Sequence, residues 1–214
     1  MSDFAQTIAL LVVGWLFGLL SPAVIEAIRY RREAERGRTA ILCEIKELSS
    51  VLALATFSAR KAAGSLDRPF LQWFKARIST DDSEGAKSVL GIVDSMLALP
   101  DNELSKGAAS TATPDTEGTM LQRYPAPLLD ARVSALWTFD TAFQRQLLEI
   151  HRNLALLDGI VELSRQYFFL TFNDLPSANH RLITGNLANS YSNYAKRAQI
   201  VIDKIVALDS TRAA

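Results

Sequence analysis

The chain has 214 residues, with 23 Lys and Arg balanced by 23 Asp and Glu, so its formal net charge is zero. That balance does not indicate a nucleic-acid-binding domain, which usually carries a net basic charge or a dense basic stripe. The single cysteine, Cys43, excludes an intrachain disulfide. The length suffices for one membrane anchor and one domain of roughly 170 residues, large enough to bury a core without metals or disulfides.

The N-terminal part of the chain is uncharged and apolar from Thr7 to Ile25. As a helix this stretch is roughly 28 Å long, close to the hydrocarbon thickness of a bilayer. A buried helix of a soluble protein is one alternative, but such helices are usually shorter or have a polar face. A cleaved signal peptide is the other alternative. Such a peptide begins with a basic n-region, which residues 1–3 lack, and its apolar core is shorter than the stretch from Thr7 to Ile25. The sequence therefore predicts an uncleaved single-pass transmembrane helix within residues 1–28.

Basic residues follow the apolar stretch and none precede it, which sets the expected orientation. Arg29, Arg31 and Arg32 open a basic juxtamembrane segment that spans residues 29–38. Because Lys and Arg stay on the cytoplasmic side, we expect the N-terminus outside the cell inner membrane and the rest of the chain in the cytoplasm. These arginines can also contact anionic lipid headgroups. A topology signal alone explains them, and we favour that interpretation.

Two glycines inside the predicted span, Gly14 and Gly18, form a G-x-x-x-G pair. Such a pair lets two helix backbones approach closely and occurs at contacts between membrane helices. The same spacing also arises by chance in apolar segments. The pair therefore supports a hypothesis, a helix–helix interface in the membrane, and does not define an oligomer.

Apolar residues then recur at steps of three and four from Ile41 to Ala59. This stripe predicts that the first helix continues to about Ala63 and stops at Gly64, because glycine readily adopts the left-handed conformation that ends helices. The helix is expected to run on from the membrane anchor without a break.

Two short helices are expected next, over residues 66–78 and 84–99. The first has an aromatic face, which we assign to the core rather than to the membrane interface. Residues 100–127 are rich in Gly, Ser, Thr, Ala and Pro. That composition predicts one long flexible loop.

The longest periodic pattern begins at Leu129 and steps by four and three residues through Phe168. Such a heptad-like seam is typical of long bundle helices, so one helix is expected from about residue 129 to Thr171. Asp140 interrupts the apolar seam. As a buried aspartate it needs a basic or hydroxyl partner, and we expect it to set register or oligomeric state. The seam positions are 129, 133, 136, 140, 143, 147, 150, 154, 157, 161, 164 and 168.

A last helix is expected from about Ser177, and the short turn before it makes it an antiparallel neighbour of the long helix. No segment of the sequence shows the alternation typical of a β-strand. These patterns predict an all-α protein in which one N-terminal transmembrane helix precedes a cytoplasmic antiparallel bundle of three long helices plus short helices. The bundle is expected over residues 39–210.

The sequence lacks the motifs of common enzymatic chemistry: it has no Cys/His metal cluster, no phosphate-binding glycine loop and no nucleophile elbow. No metal or cofactor is therefore predicted. One pair remains, Arg145 and His151, which frame the stretch RQLLEIH. An arginine followed a few residues later by a histidine resembles the motif of HEPN ribonucleases, which are helical bundles. The resemblance implies that Arg145 stabilises a phosphorane and that His151 transfers a proton, on RNA bound in a dimeric cleft.

The same two residues also have a plain structural interpretation. On a regular helix, residues six apart differ by about 120° in direction. We therefore expect Arg145 on the outer face of its helix and His151 on the flank, and we favour a solvated arginine and a partly covered histidine.

Two functions are consistent with these patterns. The first is a non-enzymatic, membrane-anchored interaction or effector protein that oligomerises or binds a protein partner at the cytoplasmic face of the lipid bilayer. A bacterial defence or stress response is one setting for it, and the architecture is similar to that of the membrane accessory proteins of type VI CRISPR systems. The alternative is a membrane-tethered ribonuclease that uses Arg145 and His151, with nucleic acid as its partner. We favour the first.

Overall fold

The computed structural model describes residues 3–79, 81, 83–110 and 120–210, and within them the regular structure is all helical. The all-α prediction is confirmed. The chain divides into two compact units, Met1–Leu42 and Cys43–Ala214.

The first helix, α1, extends from Asp3 to Ala62. It ends in a Schellman motif: Gly64 has φ 60°, its N–H donates to the Lys61 carbonyl, and the Ser65 N–H donates to the Arg60 carbonyl. Glycine tolerates this left-handed conformation because it has no Cβ. The predicted end of the helix is confirmed.

The structure gives no support to a membrane span. Among the residues whose side chains are described, no helix combines the length and the apolar character needed to cross a bilayer. Most side chains between residues 3 and 23 lie outside the described set. The span from Thr7 to Ile25 therefore stays a prediction.

The second helix, α2, extends from Arg68 to Ile78. Asp67 caps its N-terminus, because its carboxylate accepts a hydrogen bond from the Phe70 N–H at 2.8 Å. Phe74 is fully buried, and its ring centroid lies 5.0 Å from that of Phe57 on α1. The aromatic face of this helix therefore packs in the core, as predicted.

Two further short helices follow, α3 from Glu84 to Leu97 and α4 from Asp101 to Ser110. The first agrees with the sequence. The second corrects it, since residues 101–110 were expected in a loop. Leu104 and Ala108, four residues apart, are both buried and give α4 an apolar face. The acidic residues in its first turn also favour a helix.

Arg68 at the start of α2 holds the junction between α3 and α4. Its guanidinium donates to the carbonyls of Leu97 and Leu99 and forms an ion pair with Asp101, at 2.6 Å. A cation at the C-terminus of α3 satisfies carbonyls that lack intrahelical partners.

The long helix expected from residue 129 is broken near its start. Helix α5 extends from Pro127 to Arg132, a 3-10 helix from Val133 to Thr138, and α6 from Thr141 to Leu170. Asp140 is exposed and caps α6, accepting from the Phe143 N–H at 2.8 Å. The prediction of a buried, register-setting Asp140 is therefore wrong, because the aspartate serves as a helix start.

Within α6, six of the eight predicted seam positions are buried, whereas Leu154 and Phe168 are half-buried. The positions of the seam that are buried in this helix are Phe143, Leu147, Ile150, Leu157, Val161 and Ser164.

The last helix, α7, extends from Ser177 to Ser210 and runs antiparallel to α6, as predicted. Arg197 on α7 donates to Asn153 on α6 at 3.1 Å, and Lys204 pairs with Glu149 at 2.5 Å. Higher residue numbers on α7 therefore pair with lower residue numbers on α6, as they do when two helices run antiparallel. Its buried stripe comprises Leu187, Tyr191, Tyr194, Ala198, Val201, Ile205 and Leu208.

Hydrogen bonds also connect α7 to the first two helices. Arg60 on α1 donates to Gln199 at 3.2 Å, and the Trp73 indole on α2 donates to Asp203 at 2.9 Å. Helix α7 therefore contacts α1, α2 and α6, and the bundle core lies around it.

Candidate functional site

A small cleft lies where α6, α5 and the segment 120–126 meet; we call it the His151 cleft. His151 and Asp158 are two turns apart on α6 and face the same side. Asp130 comes from α5, and Arg123 and Tyr124 come from the non-helical segment before it. Together these side chains line a cavity of about 240 Å³.

The closest polar contact in this cleft joins His151 to Asp130. The histidine Nε2 lies 3.2 Å from the aspartate Oδ1, and the two side chains are 37% and 59% exposed. A carboxylate at this distance accepts a hydrogen bond from the imidazole and fixes the orientation of its ring. At such exposure the pair contributes little to stability.

Asp158 and Arg123 also line the cleft, and their closest charged atoms are 4.0 Å apart. Burial raises the pKa of Asp158, the Arg123 guanidinium opposes that shift, and the Asp130 carboxylate adds to it. The cleft therefore has two carboxylates against one guanidinium. Such a set suits proton transfer and does not form a cradle for phosphate.

Arg145 does not line the His151 cleft. Its side chain is 82% exposed, and its Nε lies 3.8 Å from a Glu149 carboxylate oxygen. Lys204 on α7 contacts the same carboxylate and is the main reason why the pKa of Glu149 is lowered; Arg145 and Arg152 contribute less. Arg145 and His151 therefore have different partners, Glu149 on α6 and Asp130 on α5. As helix geometry predicts, Arg145 lies on the outer face of α6 and His151 on its flank.

A second cavity, of about 350 Å³, lies between residues 51–62 of α1, residues 120–124 and α7; we call it the Tyr194 pocket. Tyr194 is fully buried, and among the described atoms its hydroxyl has no hydrogen-bond partner. Burial raises the pKa of Tyr194, and the nearby Tyr124 and Asp158 raise it further. The sequence shows Tyr194 only as one position in a buried stripe, so this pocket was not predicted.

A third feature is the outer face of α6, opposite the seam. Leu148, Leu156, Leu163 and Leu170 are 47%, 45%, 45% and 39% exposed; we call them the outer leucine row. Their steps of eight, seven and seven residues place them along one side of a helix. The seam predicts only the buried face of α6, although the same sequence also contains the spacing of these exposed leucines.

The residues predicted to contact the membrane lie in the first unit. Gly14 lies outside the described side chains, whereas a Cβ added at Gly18 meets no atom within 4 Å. Arg31 and Arg32 are exposed. Arg29 forms an ion pair with Glu33 at 3.3 Å, one helical turn away.

No metal site accompanies these features. Over the described ranges, no group of three or more His, Cys, Asp or Glu side chains is placed to hold a metal ion. Comparison of the chain with protein-family models, with curated proteins and with solved structures finds no match.

Proposed function

We propose that this chain is a membrane-anchored helical interaction protein that associates with a second copy of itself through the outer leucine row of α6. The observation that carries the proposal is the exposure of four leucines on the side of α6 that faces away from the core. Single exposed leucines are ordinary, but these four lie on one side of the helix, interleaved with Arg152, Gly159 and Gln166, and association removes their apolar surface from water. The zero net charge of the chain also favours association between copies.

The charges beside the row favour an identical partner. When two α6 helices pack antiparallel with Leu148 opposite the partner's Leu170, Arg152 lies within about one turn of the partner's Glu162. Arg152 is exposed, whereas Glu162 is half-buried and lies 4.0 Å from Arg123 and 3.9 Å from Arg165 of its own chain. The same contact occurs twice around a twofold axis, because the two copies present the same surface.

Residues 1–28 are proposed as the membrane anchor, with the N-terminus outside the cell inner membrane and the second unit in the cytoplasm. The sequence from Thr7 to Ile25 has no charge, and arginines follow it. The large apolar side chains described between residues 8 and 28 are exposed: Ile8, Leu11, Trp15, Val24, Ile25 and Ile28. Water solvates such a helix poorly, whereas lipid hydrocarbon accommodates it.

Cross-linking in native membranes tests the self-association. The dyad of the proposed pair falls at Gly159, midway between Leu148 and Leu170, so a Gly159→Cys chain carries its thiol opposite the same thiol in the partner. With Cys43→Ser as background, we expect this variant to form a disulfide-linked dimer under mild oxidation. The exposed Gly185 on α7 gives a matched control, because a Cβ at either glycine meets no atom within 4 Å.

The test compares the yield of disulfide-linked dimer at position 159 with the yield at position 185. Adding Leu156→Glu to Gly159→Cys places a charge in the apolar contact and should abolish the dimer. Equal cross-linking at positions 159 and 185, or no dimer at 159, contradicts association through the outer leucine row.

Chemical labelling tests the anchor and its orientation. Cys43 is the single cysteine and is exposed, just beyond the basic segment 29–38. A membrane-impermeant maleimide should label it only after the cells are permeabilised, and alkaline carbonate should leave the chain in the membrane pellet. Labelling in intact cells contradicts the orientation, and release by carbonate contradicts the anchor.

A membrane-tethered ribonuclease is the second candidate, and the 3.2 Å contact between His151 and Asp130 is the observation that favours it. A histidine oriented by a carboxylate is a common general acid or base. Because Arg145 lies outside the His151 cleft, this candidate needs the dimeric cleft that the HEPN resemblance implies. The full chain should then cleave RNA, and both His151→Ala and Arg145→Ala should abolish cleavage while His180→Ala, a change at the other histidine, retains it. Absence of cleavage by the unmodified chain, or cleavage that survives His151→Ala, removes this candidate.

A further inference from the structure

We propose that the Tyr194 pocket binds a small, neutral, mostly apolar organic molecule whose single hydrogen-bond acceptor bonds to the Tyr194 hydroxyl. The pocket lies within the second unit, and the proposal is independent of the anchor and of the outer leucine row. Three observations carry it: the walls of the cavity, the unpaired hydroxyl and the charges nearby.

The walls of the pocket are mainly apolar, although Ser58, Gln122, Tyr124 and Tyr191 also line it, and small residues on α1 give it room. Ala55, Ala59 and Ala62 lie on one face of α1, at steps of four and three residues, and all three line the cavity. Val51 and Leu121 contribute larger apolar surface. With methyl side chains on the wall of α1, the neighbouring segment 120–124 and α7 leave a volume of about 350 Å³ between them. That size falls within the usual range of small-molecule sites.

The Tyr194 hydroxyl is the polar group that a ligand would satisfy. It is buried and has no hydrogen-bond partner among the described atoms, and its residue is one of those that line the pocket. A buried donor without an acceptor is unfavourable, and most buried polar groups in proteins are paired. A ligand acceptor that bonds to the hydroxyl removes the free-energy penalty of leaving this buried donor unpaired.

The electrostatic environment selects a neutral ligand. Among the described residues, the pocket is lined by no charged side chain. The pKa of Tyr194 is raised, first by burial and then by Tyr124 and Asp158, so its hydroxyl keeps its proton and acts as a donor. Because no cation lines the pocket over the described residues, an anion that enters it gains no compensation for its lost hydration. A ketone, ester or amide on a compact apolar body fits these conditions.

Binding of matched probes to the full chain in lipid nanodiscs tests the proposal. The first probe is 2-acetylnaphthalene, a neutral ketone. The second is 2-isopropenylnaphthalene, in which a methylene group replaces the carbonyl oxygen, and the third is the anion 2-naphthoate. We expect saturable binding of the ketone, about fivefold tighter than that of the hydrocarbon because of one neutral hydrogen bond. The anion should bind weakest.

Two variants assign the binding to the pocket. Tyr194→Phe removes only the hydroxyl and should lower the affinity for the ketone to that for the hydrocarbon. Ala55→Leu fills the cavity and should abolish saturable binding of both. Tyr167→Phe, a half-buried tyrosine of α6 outside the pocket, is the matched control and should leave both affinities unchanged.

Several results overturn the proposal. Equal affinity for ketone and hydrocarbon shows that the hydroxyl makes no bond to the ligand, as does an unchanged ketone affinity in Tyr194→Phe. Absence of saturable binding shows that the pocket holds solvent only, and binding that survives Ala55→Leu places the probe elsewhere. Circular dichroism checks that each variant folds, and where one does not, the ketone-to-hydrocarbon ratio of the unmodified chain decides.

Discussion

The carboxylate of Glu44 on α1 accepts hydrogen bonds from the backbone N–H groups of Leu128 and Leu129, at 2.7 and 2.8 Å. These groups open α5, whose N-cap residue, Ala126, has a side chain that cannot cap. We expect Glu44→Ala to lower the free energy of unfolding by about 1–2 kcal/mol, because two amides lose an acceptor at the positive end of a helix. Urea unfolding measures this loss. Glu47→Ala, one turn away and exposed, is the control and should change stability by less than about 0.5 kcal/mol.

Asp158 gives a pH-dependent prediction at the same scale. Its pKa is raised in the folded state, chiefly by burial, so the folded chain binds a proton more readily than the unfolded chain. Stability therefore falls as the pH rises from the unfolded pKa through the folded one. Asp158→Asn removes the charge, and we expect it to raise the free energy of unfolding at pH 7 and to lose this advantage near pH 3. A variant that is destabilised at pH 7 contradicts this, since Arg123 would then outweigh burial.

At the scale of elements, α4 is the clearest departure from the sequence pattern. Its composition is that of a loop, yet the buried Leu104 and Ala108 bind it to the domain. We expect Leu104→Ala to lower the free energy of unfolding by about 3 kcal/mol, as for other buried leucines. Lys106→Ala on the exposed side of α4 is the control. If Leu104→Ala has as little effect as the control, α4 contributes nothing to the core.

The elements that the sequence predicts best are those whose apolar period is long. The stripes of α6 and α7 and the stop of α1 at Gly64 follow from local chemistry, so periodicity and backbone preference suffice to find them. The sequence pattern did not predict the break before α6, because the apolar period of the seam continues across it. Asp140 caps α6 at a position where the pattern also allowed a buried residue. The extended backbone at Asp140 distinguishes an N-cap from a position inside the helix.

The candidate sites were harder to predict than the elements, because they depend on contacts between distant segments. The position of Arg145 on the outer face follows from helix geometry alone. The partner of His151 does not, since Asp130 reaches it from another helix. Nor does the unpaired hydroxyl of Tyr194, which depends on what α1 and residues 120–124 leave uncovered. Local patterns predict which face is buried, whereas the assembled bundle determines which polar groups remain unpaired.

For the whole molecule, self-association can use two contacts: the outer leucine row proposed above and the Gly14/Gly18 pair that the sequence predicts. When both contacts join the same two copies, the second forms at the high effective concentration that the first creates, and assembly stops at a closed dimer. When each contact joins a different copy, assembly continues into chains.

We expect the closed dimer, because a pair in which both self-complementary contacts share one twofold axis leaves no contact open for a third copy. Single-molecule photobleaching in lipid vesicles distinguishes the two arrangements. The unmodified chain should give dimers, and Gly18→Leu or Leu156→Glu alone should give dimers that dissociate on dilution with lipid. The double variant should be monomeric. Chains of three or more copies that shrink to stable dimers in either single variant show instead that the two contacts join different partners.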